Sequence, residues 1–131
     1  MLLNSQGLIE QLRAQVNEVT CEVVDRLIKK QSPILFIDIR EVQETRLGTP
    51  EGCEQIPRGV LEMQLPNSSR YQHLLKMHPL AEKLPIYLLC RSGARSILAA
   101  ASLQSMGYQE VYSVAGGYID WQRKGLNVQG V

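Results

Sequence analysis

Pro85-Ile86-Tyr87-Leu88-Leu89-Cys90-Arg91-Ser92-Gly93-Ala94-Arg95-Ser96 reads as strand, tight loop and helix start in a single stretch. The apolar run is a buried strand, the cysteine is its last residue, and the alanine-rich segment from Ala94 to Met106 is a helix. A helix N-terminus carries unsatisfied N–H groups and a partial positive charge. A loop wound round the cysteine sulfur adds its own amides, and Arg91 and Arg95 add positive potential, so the segment forms an anion cradle. All of these favour thiolate over thiol, and Cys90 reads as an activated nucleophile. The plain alternative is a small buried hydrophobe at a strand end. The Arg, Ser, Gly, Arg and Ser that follow argue against it, because they are costly to bury without an anion.

Working outward, Ile34-Leu35-Phe36-Ile37 is a second continuous apolar run, as expected of a parallel strand buried on both faces, and it ends at Asp38-Ile39-Arg40. Val111-Tyr112-Ser113-Val114 and Asn17-Glu18-Val19 are shorter strands. Thr20 caps a helix with Val23, Val24, Leu27 and Ile28 inward. Glu41 to Leu47 makes a short helix, and Gly48 to Gly52 is turn chemistry. The chain from Cys53 to Ser69 is the least regular, with Ile56 to Val60 a loop over the sheet edge and Leu61 to Leu65 a brief extended piece. Ser68 or Ser69 caps a helix ending before Pro79. Gly107 terminates the long helix, whose Ile97, Leu98, Leu103 and Met106 make it apolar almost all round. A last helix, from Tyr118 through Arg123, is anchored by Trp121, the sole tryptophan. Leu8, Ile9, Leu12 and Val16 share one helical face, so residues 1–16 form an amphipathic helical extension ahead of a domain spanning 17–131.

Strands alternating with helices indicate an α/β domain with a mainly parallel sheet. Such sheets place sites beyond the carboxyl ends of their strands. Asp38 and Arg40, the Cys90 loop and Gly116-Gly117 therefore converge on one edge, with the Arg58 segment coming over it.

Composition excludes several classes. At 131 residues, 44% apolar and 21% charged, the chain is an ordinary single globular domain. A formal charge of +1 argues against nucleic acid or an anionic membrane as main partner. No apolar run approaches the roughly 18 residues of a membrane span. Three cysteines make no disulfide framework, and the amino-terminal stretch lacks signal-peptide character, which sets the expectation of a cytoplasmic protein. With no CxxC, no HExxH and two histidines, neither a metal nor another cofactor is expected.

Asp38-Ile39-Arg40-Glu41, Ile56-Pro57, the Cys90 loop with its strand, Met106-Gly107-Tyr108, and Gly116-Gly117 with Trp121 and Gly125-Leu126 resemble a single-domain rhodanese from about residue 17 to 128. The resemblance implies a five-stranded parallel sheet with helices on both faces, and a sulfurtransferase. Cys90 would take the outer sulfur of an anionic donor such as thiosulfate as a persulfide, and a thiol or cyanide would then accept it. A thioredoxin-like or sulfur-relay protein is a further partner the family suggests. Amides from Arg91, Ser92, Gly93, Ala94, Arg95 and Ser96 would hold the persulfide charge; Arg95 would orient the donor and Ser96 would hydrogen-bond the sulfur. Arg91 is either a second donor-binding cation or a solvated loop charge. Asp38 and Arg40 read as polar groups tying the strand end to neighbouring loops. Where many members have Gly-His-Ile-Pro-Gly-Ala, this chain reads Cys53-Glu54-Gln55-Ile56-Pro57-Arg58-Gly59-Val60-Leu61-Glu62, so Arg58, with Glu62 near it, is either a cation at the pocket mouth or half of a surface ion pair.

Two rival functions stand beside this one. Cysteine phosphatases place an arginine one position further from the cysteine than Arg95 is from Cys90, so this shorter loop suits a sulfur atom better than a tetrahedral phosphate. A binding or regulatory module, or a persulfide carrier with little thiosulfate activity, is the other. Cys53 invites a resolving role against a Cys90 persulfide. Cys21 reads as buried, and His73 and His78 as surface residues.

Overall fold

The computed structural model describes residues 1–130; Val131, the last residue of the expected domain, lies outside the described residues. Five strands form one parallel sheet: β1 (Asn17–Val19), β2 (Leu35–Asp38), β4 (Glu54–Gln55), β5 (Ile86–Leu89) and β6 (Val111–Val114), in the order β1-β6-β5-β2-β4. A separate antiparallel pair joins β3 (Thr49–Pro50) to β7 (Val128–Gln129). The helices are α1 (Ser5–Arg13), α2 (Cys21–Lys29), α3 (Val42–Thr45), α4 (Leu61–Gln64), α5 (Ser69–Met77), α6 (Ala94–Ser105) and α7 (Gly117–Arg123).

The continuous apolar runs at β2 and β5 occupy the sheet centre because both their faces are covered. Leu35, Ile37 and Ile39, with Ile86, Leu88 and Cys90, face a core layer shared with α4, α5 and α6. Phe36, Tyr87 and Leu89 face the opposite layer, which contains Cys21 and Val24 of α2 and Tyr118 and Trp121 of α7. Each fully buried Leu or Ile contributes on the order of 1.5–3 kcal/mol. Trp121 is 1% exposed, packs on Phe36, and donates its Nε1–H to the Asn127 carbonyl at 2.9 Å.

Some expected elements came out differently. Leu61 to Leu65 is helical rather than extended, since Leu61 and Leu65, one turn apart, both drop into the core. The stretch beginning at Gly48 is more than a turn, because Thr49–Pro50 pairs with Val128–Gln129. Glu54–Gln55 adds an edge strand to β2 within the segment read as irregular. On α1, Ile9 and Leu12 pack on the core, but Leu8 is exposed; on α6, Met106 just past the helix end is exposed as well. No helix among the described residues is long and apolar enough to cross a membrane.

From β2 the chain runs outward to β4, whereas from β5 it runs the other way to β6. The adjacent carboxyl ends of β2 and β5 are therefore the topological switch point, where open α/β sheets leave a crevice.

Candidate active site

The switch point is occupied by Asp38-Ile39-Arg40 on one side and the Cys90 loop on the other. Cys90 is 1% exposed and borders the core beneath α6, but its sulfur takes polar partners. The Gly93 amide donates to Sγ at 3.1 Å, and the Ser96 hydroxyl lies 3.5 Å away. Gly93 stands at the N-cap of α6 with φ +102°, a left-handed conformation that turns its N–H inward toward the sulfur. The loop thus curls back over the cysteine as the sequence suggested. Ser92 is exposed, while Ala94 and Arg95 open the helix half-buried.

Behind the loop stands a residue that the sequence did not single out. Ser113 on β6 is fully buried, and its Oγ lies 2.6 Å from Ser96 Oγ. A serine inside a short apolar strand gives no signal of its own; only the pairing of β5 with β6, which sets Leu88 opposite Ser113, brings it under the loop. With negative charge on the sulfur, Ser113 donates to Ser96 and Ser96 donates to Sγ, so two hydroxyl dipoles align on it.

Gly116-Gly117 closes the loop from the other side. Tyr118 N–H donates to the Cys90 carbonyl at 2.9 Å and Ile119 N–H to the Arg91 carbonyl at 3.1 Å. Gly117 has φ +54°, and a Cβ there would meet the Cys90 carbonyl oxygen and come within 2.6 Å of that of Arg91. The backbone of α7 is thereby clamped on the loop.

Asp38 and Arg40 form a buried pair below the crevice, with Nη2 to Oδ2 at 2.8 Å and Nε to Oδ1 at 3.0 Å. Arg40 also donates to the Gly48 carbonyl at 2.8 Å and lies 3.9 Å over the Tyr118 ring. Thr49 Oγ1 donates to Asp38 at 2.8 Å. These contacts tie the end of β2 to the α3–β3 turn and to α7. Losing one partner of such a buried pair costs about 3–5 kcal/mol.

Arg95 is held by Glu44 of α3 through two bonds of 2.9 Å. Arg58 is held by Glu62 at 2.9 Å, and Glu62 accepts a bond from Ser102, two turns along α6 from the loop. Among the described residues the Arg58 guanidinium has no hydrogen bond to the Cys90 loop; it forms the ion-pair alternative. Arg91 is exposed and lines a cavity of about 270 Å³ together with Arg40, Glu44, Leu47 and Tyr118.

The other two thiols are placed differently. Cys53 packs with the opposite core layer from Cys90, which gives no support to the resolving role. Thr49 spends its hydroxyl proton on Asp38, so the Cys53 thiol donates to Thr49 Oγ1 at 2.7 Å. Burial pushes Cys53 up to about 12, and burial likewise pushes Cys21 up to about 11. His73 and His78 are exposed.

Residues 20–124 match the rhodanese-like domain family. A sulfurtransferase of Allochromatium vinosum is 29% identical over 113 residues, covering 86% of this chain and 94% of that protein. Among solved structures, a Rhodopseudomonas palustris protein described as a possible tyrosine phosphatase superposes with a TM-score of 0.81 at 24% identity, covering 98% of this chain and 96% of that one. The polysulfide-sulfur transferase homodimer of Wolinella succinogenes gives 0.70 at 24% identity, covering 93% and 84%. The two structural likenesses bear on the fold alone. The family match, covering most of the sequence and including the whole cysteine loop, places this chain in the rhodanese-like domain family.

Proposed function

We propose that this chain moves a sulfane sulfur from a donor such as thiosulfate to a thiol or cyanide through a persulfide on Cys90. The observation that carries the reading is the Gly93 amide 3.1 Å from Cys90 Sγ at the start of α6. The Cys90 thiolate attacks the outer sulfur of thiosulfate; a new S–S bond forms, the old one breaks, and sulfite leaves with its electron pair. The persulfide's terminal sulfur, about 2.05 Å further out, enters the ring of amides from Arg91 to Ser96, which offsets its charge. An acceptor thiolate or cyanide then attacks that terminal sulfur, and Cys90 leaves as the thiolate it was at the start.

The near-complete burial of Cys90 suits this step, since one protruding sulfur atom reaches where a bulky group does not. Arg91 is the open cation at the entrance. Asp38 and Arg40 support the loop from below, and Arg58 with Glu62 braces the segment over the sheet edge against α6. A phosphatase reading fits less well, because Arg95 stands one position closer to Cys90 than the phosphate-binding arginine of those enzymes. A second reading, transfer from a persulfide donor with little use of thiosulfate, is favoured by the Glu44 carboxylate that already fills the Arg95 fork.

Intact mass after incubation with thiosulfate tests the proposal. The wild type is expected to gain the mass of one sulfur and Cys90→Ser none. An unchanged wild-type mass with both thiosulfate and a small alkyl persulfide would leave a binding module as the better account.

A further inference from the structure

Arg95 is the arginine that the loop would aim at an incoming donor, yet its planar fork is spoken for. Nη1 donates to Glu44 Oε1 and Nη2 to Oε2, the bidentate geometry that a sulfonate or sulfate would otherwise occupy. Glu44 is itself fixed, since its Oε1 also accepts the Glu41 N–H at 2.9 Å in the capping box of α3. The Arg95 hydrogen bonds hold the Glu44 carboxyl down at about 2, so it stays charged throughout the physiological range. The cavity beside the loop contains this carboxylate together with Arg40, whose charge is committed to Asp38, and Arg91. A dianion entering there meets the exposed Arg91 and the fixed Glu44 charge.

We propose that Glu44 is a specificity-determining residue, which withholds Arg95 from doubly charged oxyanion donors of the thiosulfate class and so favours alkyl persulfides. The inference rests on the sulfur-transfer reading above and names its donor class. An alkyl persulfide brings no oxyanion head and needs only the loop amides, which receive its terminal sulfur. The Cys90 thiolate attacks that sulfur, the Cys90 S–S bond forms as the donor's breaks, and the donor leaves as an alkyl thiolate that takes a proton from water. Sulfur arrives in the same oxidation state from either donor, so no further reactant is required.

The test compares second-order rates of sulfur loading on Cys90 from thiosulfate and from mercaptoethanol persulfide, which has no charge beyond its terminal sulfur. Glu44→Gln keeps an acceptor for the Glu41 N–H while removing the negative charge. It is expected to raise the thiosulfate rate about tenfold, and to change the persulfide rate less than twofold. In an Arg95→Met background the thiosulfate gain should shrink to the part due to the lost Glu44 charge, because Arg95 is no longer there to be released. Sulfate binding followed by NMR reads the same contact without turnover and should tighten about tenfold in Glu44→Gln. A thiosulfate rate within twofold of wild type, equal gains with both donors, or unchanged sulfate affinity would overturn the proposal. Failure of wild-type Cys90 to load from either donor is a separate result, which removes the sulfur-transfer reading itself.

Discussion

Gly117→Ala is the sharpest single perturbation of the loop. The residue sits at φ +54° with the carbonyls of Cys90 and Arg91 against the place of a Cβ, the latter at 2.6 Å where at least 3.0 Å is needed. Both contacts are backbone, so no side chain can swing away; the loop or α7 has to shift by several tenths of an ångström. Left-handed strain costs about 1 kcal/mol and overpacking about 1–3 kcal/mol, which together lower stability by about 2–4 kcal/mol. For a chain of this size that is a drop in melting temperature on the order of 10 °C. The shift also loosens the bonds from Tyr118 N–H and Ile119 N–H that hold the loop carbonyls. Displacing a reacting group by about 1 Å costs roughly a hundredfold in rate, so sulfur loading should slow by about 10- to 100-fold. Gly125→Ala is the control: its φ is +67°, but among the described residues nothing lies within 4 Å of the added methyl. That variant should lose about 1 kcal/mol and keep its loading rate. Thermal melts with stopped-flow loading at a temperature where both variants are folded give the two readouts. Equal destabilisation in the two variants, or Gly117→Ala loading within twofold of wild type, would refute the clamp.

Three further outcomes are expected. Ser113→Ala removes the hydroxyl 2.6 Å behind Ser96 and should slow sulfur loading on Cys90 about fivefold, the worth of about one hydrogen bond; a rate within twofold would leave Ser113 a packing residue. Peptide mapping after brief exposure to a small alkyl persulfide should find the added sulfur on Cys90 and none on Cys21 or Cys53, because burial raises those thiols to about 11 and about 12; early loading of Cys53 would contradict its placement. Glu44 has its carboxyl lowered in the folded state from 4.5 to about 2, so its contribution is complete above about pH 4.5 and fades as pH falls toward 2. Denaturant titrations should therefore show wild type exceeding Glu44→Gln at neutral pH, with the gap closing through that acid window; a gap independent of pH would contradict the ion pair.

Much of this architecture is legible in the chain because the central strands are buried on both faces. The runs ending at Asp38 and Leu89 could be read as parallel strands from their uninterrupted apolar character, and Cys90 with its glycine and arginines marked the loop. What escaped was decided by partners distant in sequence. Glu54–Gln55 and Thr49–Pro50 carry no apolar pattern; they are strands only because β2 and Val128–Gln129 offer backbone partners. The helix at Leu61 did have a local sign in the four-residue spacing of Leu61 and Leu65, which an extended reading overlooked. Ser113 and the Glu44 grip on Arg95 depend on tertiary pairing, the latter across 51 residues. Cys53 shows the same limit from the other side, since a turn-rich loop does not fix which face of the sheet receives its thiol.

Whether sulfur passes through Cys90 is decided by following a labelled atom from donor to acceptor. The protein is treated with a donor carrying heavy sulfur in its outer position, separated from excess donor, and then given a small thiol. The label is expected on Cys90 after the first step and in the acceptor's persulfide after the second, with none carried by Cys90→Ser. Label on Cys21 or Cys53, or label that stays on the protein when the thiol is added, would contradict it.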